Sequence, residues 1–455
     1  MVTKTTMARP LRTFAICAAA PAEYPWALKA RALPGRRNSR WHRLYSAAAT
    51  MIPSTSAVVV GAGPGGITVI GNLLEHSKQL ETRDKLVWVD PHFRGGRVNA
   101  RYREVPSNTK VNLFVQFANA VAPFKHVVDT TSTPNAVTVL EGLPQDQGCR
   151  LSHAADMCLM LTEGLAKHPN LQQRQTEVAS ATLDEQSGVW TVGFKDGESI
   201  TSSRIVLCTG SHPISKTLPG IEVSGQDMKP VDLDVALAPS ILAKTLDPSV
   251  AATVAVIGAS HSAILVLMNL VNLATSSHPH LRIKWFTRNK LRYAEYMDGW
   301  ILRDNTGLKG QAADWARENL EDGTFPSSPV SEVVKQVWTA GREEDAYRAE
   351  MPGCTHIVQA VGYANSPLPR LEVVKTAGTA PEPLHIDYDN DSGRFYNASK
   401  SKSQAERTYV PGLFGAGIAF PERVTDPHGN VEYAVGFWKF MKFIKKVVPD
   451  WVGKP

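Results

Sequence analysis

Two glycine-rich turns, each set directly behind a short apolar run, constrain this chain more than any other feature. The first run, Ala57-Val58-Val59-Val60, enters Gly61-Ala62-Gly63-Pro64-Gly65-Gly66. A helical pattern follows over residues 67–75, and a second apolar run, Leu86-Val87-Trp88-Val89, ends at Asp90. Short β-branched runs of this kind suit strands buried on both faces of a parallel sheet. Strand, glycine turn, helix, strand and terminal acid together make the unit that wraps a dinucleotide. Gly61 admits the tight turn, Gly63 lets the backbone close on a pyrophosphate, and Gly66 lets helix and strand pack. The helix N-terminus offers its free N–H groups to the phosphates. Asp90, 24 residues beyond Gly66, is placed to accept hydrogen bonds from a ribose.

The second unit begins 197 residues later, at Val254-Ala255-Val256-Ile257 and Gly258-Ala259-Ser260-His261-Ser262-Ala263. Serine and alanine replace two of the glycines and still permit close backbone approach. An apolar helix is expected over residues 264–272 and a strand over 283–286, ending in Thr287-Arg288-Asn289-Lys290. A basic strand end, where the first unit has an acid, favours a 2′-phosphate and hence NADP over NAD. Gly258, Ser260, Ser262 and Arg288 are the candidate contacts, with Lys290 beside them. His261 either touches phosphate or faces solvent in the turn.

Between the units, residues 176–207 read as three short antiparallel strands, the third running into Cys208-Thr209-Gly210-Ser211-His212-Pro213, where His212 shapes a turn. An amphipathic helix is expected over 151–167, an apolar strand over 357–363, and a polar surface excursion over 390–406. Residues 293–300, rich in Tyr and Met, line a pocket or pack in the core. A last helix over 430–448 carries Phe437, Met441 and Ile444 on one face, with Lys439, Lys442, Lys445 and Lys446 toward the rest. Such a helix either packs on the fold or makes a peripheral membrane contact.

Net charge narrows the function classes. Nine of the 49 basic residues and one of the 43 acidic residues lie in 1–45, so the remainder holds 40 basic against 42 acidic side chains. A body so close to neutral lacks the basic surface that nucleic-acid binding needs. No apolar stretch is long enough to span a membrane. The five cysteines form no Cys-x-x-Cys pair, which leaves no thioredoxin-type redox couple and suits a reducing compartment. No metal ligands cluster, and no Ser-His-Asp order stands out. The arginine-rich, acid-poor leader, residues 1–54, has the composition of a mitochondrial presequence, with Arg43-Leu44-Tyr45-Ser46 resembling a processing site. If translation starts at Met51 instead, a cytoplasmic location follows.

Two nucleotide units on one chain resemble the flavoproteins with two dinucleotide-binding domains, over residues 55–448. Within that superfamily the chain is most similar to the flavin-containing and N-hydroxylating monooxygenases. Gly95-Gly96 follows Asp90 where that family has a Gly-Gly pair near the flavin. Tyr102-Arg103-Glu104-Val105-Pro106-Ser107-Asn108-Thr109 keeps the family's Tyr-to-Asn spacing, which puts the flavin-facing asparagine at Asn108. Gly417 lies in Gly412-Leu413-Phe414-Gly415-Ala416-Gly417-Ile418, the C-terminal flavin element, whose Ile418 replaces the acid of the disulfide reductases. The family's Phe-x-Gly-x-x-x-His signature is not visible between residues 150 and 250.

The resemblance implies an α/β fold with two Rossmann-like domains. The FAD domain is discontinuous (55–245 and 357–455), carries a β-meander, and holds an inserted NADP domain over 246–356. It implies FAD and NADPH as cofactors and a small-molecule substrate with O2 as partners. The implied mechanism passes a hydride to FAD and delivers oxygen through a C4a-(hydro)peroxyflavin to a soft nucleophile or carbonyl. Two other readings stay open at this level: a flavin dehydrogenase serving a quinone, and a nucleotide-binding redox sensor without turnover.

Overall fold

A computed structural model of the protein describes residues 52–79, 85–221, 228–401 and 407–453. The leader up to residue 51 lies outside the described residues. The fold starts slightly earlier than expected: Ser54–Thr55 pairs in parallel with Ser199–Ser202, and Thr201 N–H donates to the Pro53 carbonyl at 2.8 Å.

Two parallel sheets carry the architecture. The first runs Ile386–Asp389, Arg394–Asn397, Tyr409–Gly415, Ile205–Leu207, Val58–Val60, Leu86–Val89, Leu171–Arg174 in space. Its last five strands are mutually parallel, and the hairpin at residues 386–397 closes one edge. The second sheet is parallel throughout, in the order Lys229–Pro230, His356–Gln359, Ala252–Ile257, Leu281–Thr287, Val334–Trp338. It takes strands from both sides of the 246–356 span, so the second lobe reaches further along the chain in each direction than the composition suggested. The meander is a third sheet. Its strands Val178–Asp184, Val189–Phe194 and Ser199–Ser202 are antiparallel, and Arg370–Val374 joins it from beyond the second lobe.

Five local expectations need correction. The stretch 390–406, expected as a polar surface excursion, contains the sheet strand Arg394–Asn397 with Phe395 buried. Ile205–Leu207 is not the tail of the third meander strand but a separate, fully buried strand between Val58–Val60 and Tyr409–Gly415. The run at 357–363 breaks after Gln359. Gly362 takes φ +121°, and Tyr363–Asn365 forms a separate strand. His212 does not shape a turn. Ser211–Pro213 is extended and pairs antiparallel with Tyr363–Asn365, so the two chain crossings between the lobes lie side by side. The last helix is Phe437–Val452, not 430–448, because Val431–Ala434 pairs with Glu422–Thr425 and Gly436 at φ +142° ends the extended run.

That terminal helix buries Phe437, Met441, Ile444, Val448 and Trp451 in the first lobe's core, beside Ile67, Leu74 and Phe114. Its apolar face is therefore spent on packing, not offered to a membrane. Among the described residues no helix is long and apolar enough to cross one. Buried Arg204 closes the helix C-terminus, donating to the carbonyls of Trp451 at 2.7 Å and Gly453 at 3.0 Å. A cation suits the negative end of the helix dipole. Trp451 stacks on Phe414 at a 4.7 Å centroid distance and donates its indole N–H to the Ser392 carbonyl at 3.0 Å.

Trp451→Ala would remove the stack, the hydrogen bond and a large buried volume together. We expect a loss of about 3–5 kcal/mol, read as a lower urea midpoint at an unchanged m-value.

Candidate functional site

The first glycine turn is built by packing that excludes side chains. Gly61 sits at φ +104°, and a Cβ there would lie 2.4 Å from the Cys208 carbonyl oxygen. On Gly66 a Cβ would meet the Gly61 carbonyl oxygen at 1.8 Å. Gly63 is different: its nearest neighbour is the Gly96 Cα at 3.8 Å, an ordinary contact. The protein alone thus leaves room for a side chain at Gly63.

Three segments converge on this turn. A Cβ on Gly96 would stand 2.8 Å from the Gly63 Cα, and one on Gly65 would stand 2.9 Å from the Gly417 Cα. Gly95 and Gly96 both take positive φ, at +68° and +64°, which bends the chain back over the turn. Asp90 braces the loop from below. Its Oδ2 accepts from Ala62 N–H at 2.7 Å, and its Oδ1 accepts from His92 and Phe93 N–H at 2.8 and 2.7 Å. A carboxylate accepts about four hydrogen bonds, so capacity remains for a ribose hydroxyl. The helix Pro64–Glu75 has no side-chain cap at Gly63, and Thr209 Oγ1, one residue after the carbonyl that packs on Gly61, is buried without a partner. Uncapped N–H groups and an orphaned hydroxyl around a bare backbone cradle fit a phosphate-bearing cofactor.

The second turn repeats the geometry. Gly258 sits at φ +133°, and a Cβ there would reach the Ala360 carbonyl oxygen at 2.4 Å and the Ala263 Cβ at 3.3 Å. The helix His261–Ala274 likewise has no side-chain cap at Ser260. A feature the sequence reading overlooked now stands out. Trp88 donates its indole N–H to the Gly61 carbonyl at 2.9 Å, and Trp285 donates to the Gly258 carbonyl at 2.7 Å. Both indoles are fully buried, and both lie 27 residues after their glycine.

A cleft of about 420 Å³ opens beside the second turn, lined by Gly258, Ser260, Arg288, Lys290, Arg292 and Glu343 among others. Ser262 is half-buried in the first helical turn behind it. Lys290 reaches Asp322 at 3.0 Å, and Arg288 reaches Glu343 at 3.5 Å. His261 is half-buried at the start of the second helix. Burial, with the Lys309 ammonium nearby, pushes its imidazole down to about 4, and its Nδ1 is buried without a partner.

Asn108 is exposed on the strand Pro106–Lys110, where the first lobe meets Gly310 at the start of the second lobe's helix Gly310–Asn319. Lys110, two residues on and thus on the same face, holds its Nζ 5.4 Å from the Tyr296 ring centroid. Tyr296 is 65% exposed and Met297 41%, so this part of the 293–300 segment lines an open face, not the core. The lobes are clamped on either side of it. Asp234 of the second lobe takes Arg97 and accepts from the Tyr102 hydroxyl at 3.0 Å. Asp304 pairs with Lys309 and with Lys439, the latter at 2.8 Å, while Glu432 accepts from Asn305 N–H at 2.9 Å and Thr306 Oγ1–H at 2.5 Å. Burial works to raise the Asp304 carboxyl, but the two lysines hold it below the usual carboxylate range.

Comparison with known proteins places this geometry. Residues 58–212 match the FAD-NAD(P)-binding family. Over 403 residues the chain is 53% identical to Monooxygenase AgnR1 of Paecilomyces divaricatus, covering 87% of this chain and 98% of that one. The chain belongs to the FAD- and NAD(P)-binding monooxygenases. Among solved structures, a double mutant of the flavin monooxygenase from Stenotrophomonas maltophilia superposes with a TM-score of 0.50 at 14% identity, over 88% of this chain and 99% of that one. A cyclohexanone monooxygenase matches at 18% identity and a TM-score of 0.35, over 58% of this chain and 44% of that chain. The enzyme is an FAD- and NAD(P)-binding flavoprotein, and monooxygenation is the reading that its relative supports over a quinone-directed dehydrogenase or a sensor.

Gly63→Val and Gly66→Ala should separate the cofactor's needs from the fold's. Gly63→Val is expected to keep the secondary structure and unfolding midpoint of the apoprotein while purifying without bound flavin. Gly66→Ala should destabilise the apoprotein itself, since its Cβ collides with backbone. Full flavin occupancy in Gly63→Val would refute the cradle.

Proposed function

We propose that the small-molecule substrate approaches along the open face formed by Asn108, Lys110 and Tyr296, and that Asn108 orients the oxygen-transfer step there. The observation behind this reading is the position of Asn108: exposed, at the seam of two lobes that each hold one glycine turn. Bound FAD and NADPH supply the redox chemistry, one oxygen atom of O2 going to substrate and the other to water. The protein's own part is binding, orientation and exclusion of water. Gly61, Gly63, Gly66, Gly95, Gly96 and Gly417 would hold the FAD, with Asp90 toward its ribose. Gly258, Ser260, Ser262 and Arg288 would hold the NADPH. The Asn108 amide carries both a donor and an acceptor, and among the described residues its one side-chain hydrogen bond is a long 3.5 Å one from Thr109 Oγ1. It is therefore available to a reacting group. Lys110 and Tyr296 beside it offer a cation and an aromatic face, which suits a planar or acidic small molecule.

Losing one hydrogen bond to a group of developing charge costs about 1.5–3 kcal/mol, roughly one to two decades in rate. Asn108→Ala should keep flavin content and NADPH-dependent flavin reduction, yet divert turnover from product to hydrogen peroxide. Unchanged product yield per NADPH would remove Asn108 from the reaction.

The segment ahead of Pro53 serves as a mitochondrial presequence cut near Ser46. Its nine basic side chains, single acid and Arg43-Leu44-Tyr45-Ser46 motif support this. Sequencing the N-terminus of the native protein should give a start close to Ser46. A mature chain that retains residues 1–40, or a purely cytosolic location, would rule this out.

A further inference from the structure

The cleft beside the second glycine turn is basic at its mouth, with Arg288, Lys290 and Arg292, but one acid stands among them. Glu343 is the one carboxylate among the described residues lining that cleft. Its Oε1 lies 3.5 Å from Arg288 Nη1. The pair is set by the fold. Arg288 follows directly on the strand Leu281–Thr287, Thr287 lies opposite Trp338 in the neighbouring strand, and Thr339 N–H donates to the Thr287 carbonyl at 2.9 Å. The chain then turns into the helix Glu343–Glu350, bringing Glu343 back over Arg288. Lys290 is engaged elsewhere, by Asp322. Arg288 is thus the cation that Glu343 holds, and the same guanidinium is the one placed to receive a 2′-phosphate.

We propose that Glu343 is a built-in rival of the NADPH 2′-phosphate for Arg288 and sets how strongly the enzyme prefers NADPH over NADH. The proposal rests on the assignment of this cleft to NADPH. A dianionic phosphate must take the guanidinium from Glu343 and then sit beside a carboxylate of like charge. NADH meets neither cost, because a ribose 2′-hydroxyl can donate to Glu343, as it does to the acid of NAD-binding units. Glu343 therefore lowers affinity for one nucleotide and leaves room for the other. Both side chains are substantially exposed, 65% for Arg288 and 37% for Glu343, so the effect is screened and modest: about two- to fivefold in affinity, the range of exposed ion pairs.

The test is calorimetric titration of the FAD-loaded enzyme with adenosine 2′,5′-bisphosphate and, separately, adenosine 5′-monophosphate, at low and high salt. Glu343→Gln should tighten the bisphosphate about two- to fivefold at low salt, leave the monophosphate unchanged or weaker, and lose this gain at high salt. In an Arg288→Ala background the Glu343→Gln gain should shrink, since the contested group is gone. Equal changes for both ligands, or none, would overturn the proposal while the NADPH assignment stands. A wild-type enzyme that binds the bisphosphate no better than the monophosphate would overturn the assignment, and the proposal with it.

Discussion

The hydrogen bond from a buried indole to the carbonyl of a glycine turn is the contact on which both nucleotide sites depend. Where a strand gives way to a glycine turn, the turn's carbonyl leaves the ladder and needs a new partner, because a buried and unpaired backbone group is costly. Trp88 and Trp285 supply it from the neighbouring strand. The carbonyl so fixed is also the surface on which the helix start rests: Gly66 approaches it too closely for any side chain. Indole, turn and helix are thus locked at one height in the first lobe. In the second lobe Ala263 takes the place of the third glycine, and a Cβ added to Gly258 would stand 3.3 Å from the Ala263 Cβ. The same brace therefore works with alanine where the first turn has glycine.

From that brace the charge layout of the two clefts follows. The second strand of each unit delivers its terminal residues to the edge of its turn, an acid in one case and a basic run in the other. Asp90 spends part of its carboxylate on the backbone of its own loop, whereas Arg288 projects outward to a side chain from another segment. The first turn is held by backbone hydrogen bonds to one carboxylate, whereas the second cleft is bordered by exposed side-chain pairs. That suits a cofactor that stays and one that comes and goes. Between the clefts the lobes are joined by charged clamps that bury carboxylates against lysines and arginine, and such contacts fix geometry more than they add stability.

Most of the parallel framework was legible in the sequence, because a continuous apolar run followed by glycine and a helical pattern has few other solutions. The runs at Val58–Val60, Leu86–Val89, Ala252–Ile257 and Leu281–Thr287 lie where their composition put them. Sheet membership was harder to read. Ile205–Leu207 is a continuous apolar run that follows the alternating Ser199–Ser202 after two residues, so the two read as one strand although the first-named joins the parallel sheet and the other the meander. His356–Gln359 and Arg370–Val374 likewise depend on pairing with strands about 100 and 190 residues away. The last helix was misjudged for a readable reason. Val431, Tyr433 and Val435 alternate in exposure as strand residues do, and Gly429 and Gly436 bracket them, yet apolar residues at helical spacing further on extended the pattern backward. The 27-residue interval from glycine to tryptophan was visible twice and would have identified the brace. The Asp304–Lys439 and Arg288–Glu343 contacts carry no local signal, because each is made across segments that meet only in the folded chain.

The two crossings at Ser211–Pro213 and Tyr363–Asn365 run antiparallel, with Ser211 opposite Asn365. A chain that leaves and re-enters a body at one point treats everything between as a cassette. The ends of the second lobe emerge together, in the way that makes insertion of one domain into another tolerable. Its sheet draws every strand from inside that interval, while Arg370–Val374 and all that follows return to the first body. In modular terms the host keeps an unbroken parallel sheet of its own, and the guest lobe could be exchanged at this zipped pair without cutting a ladder of either sheet.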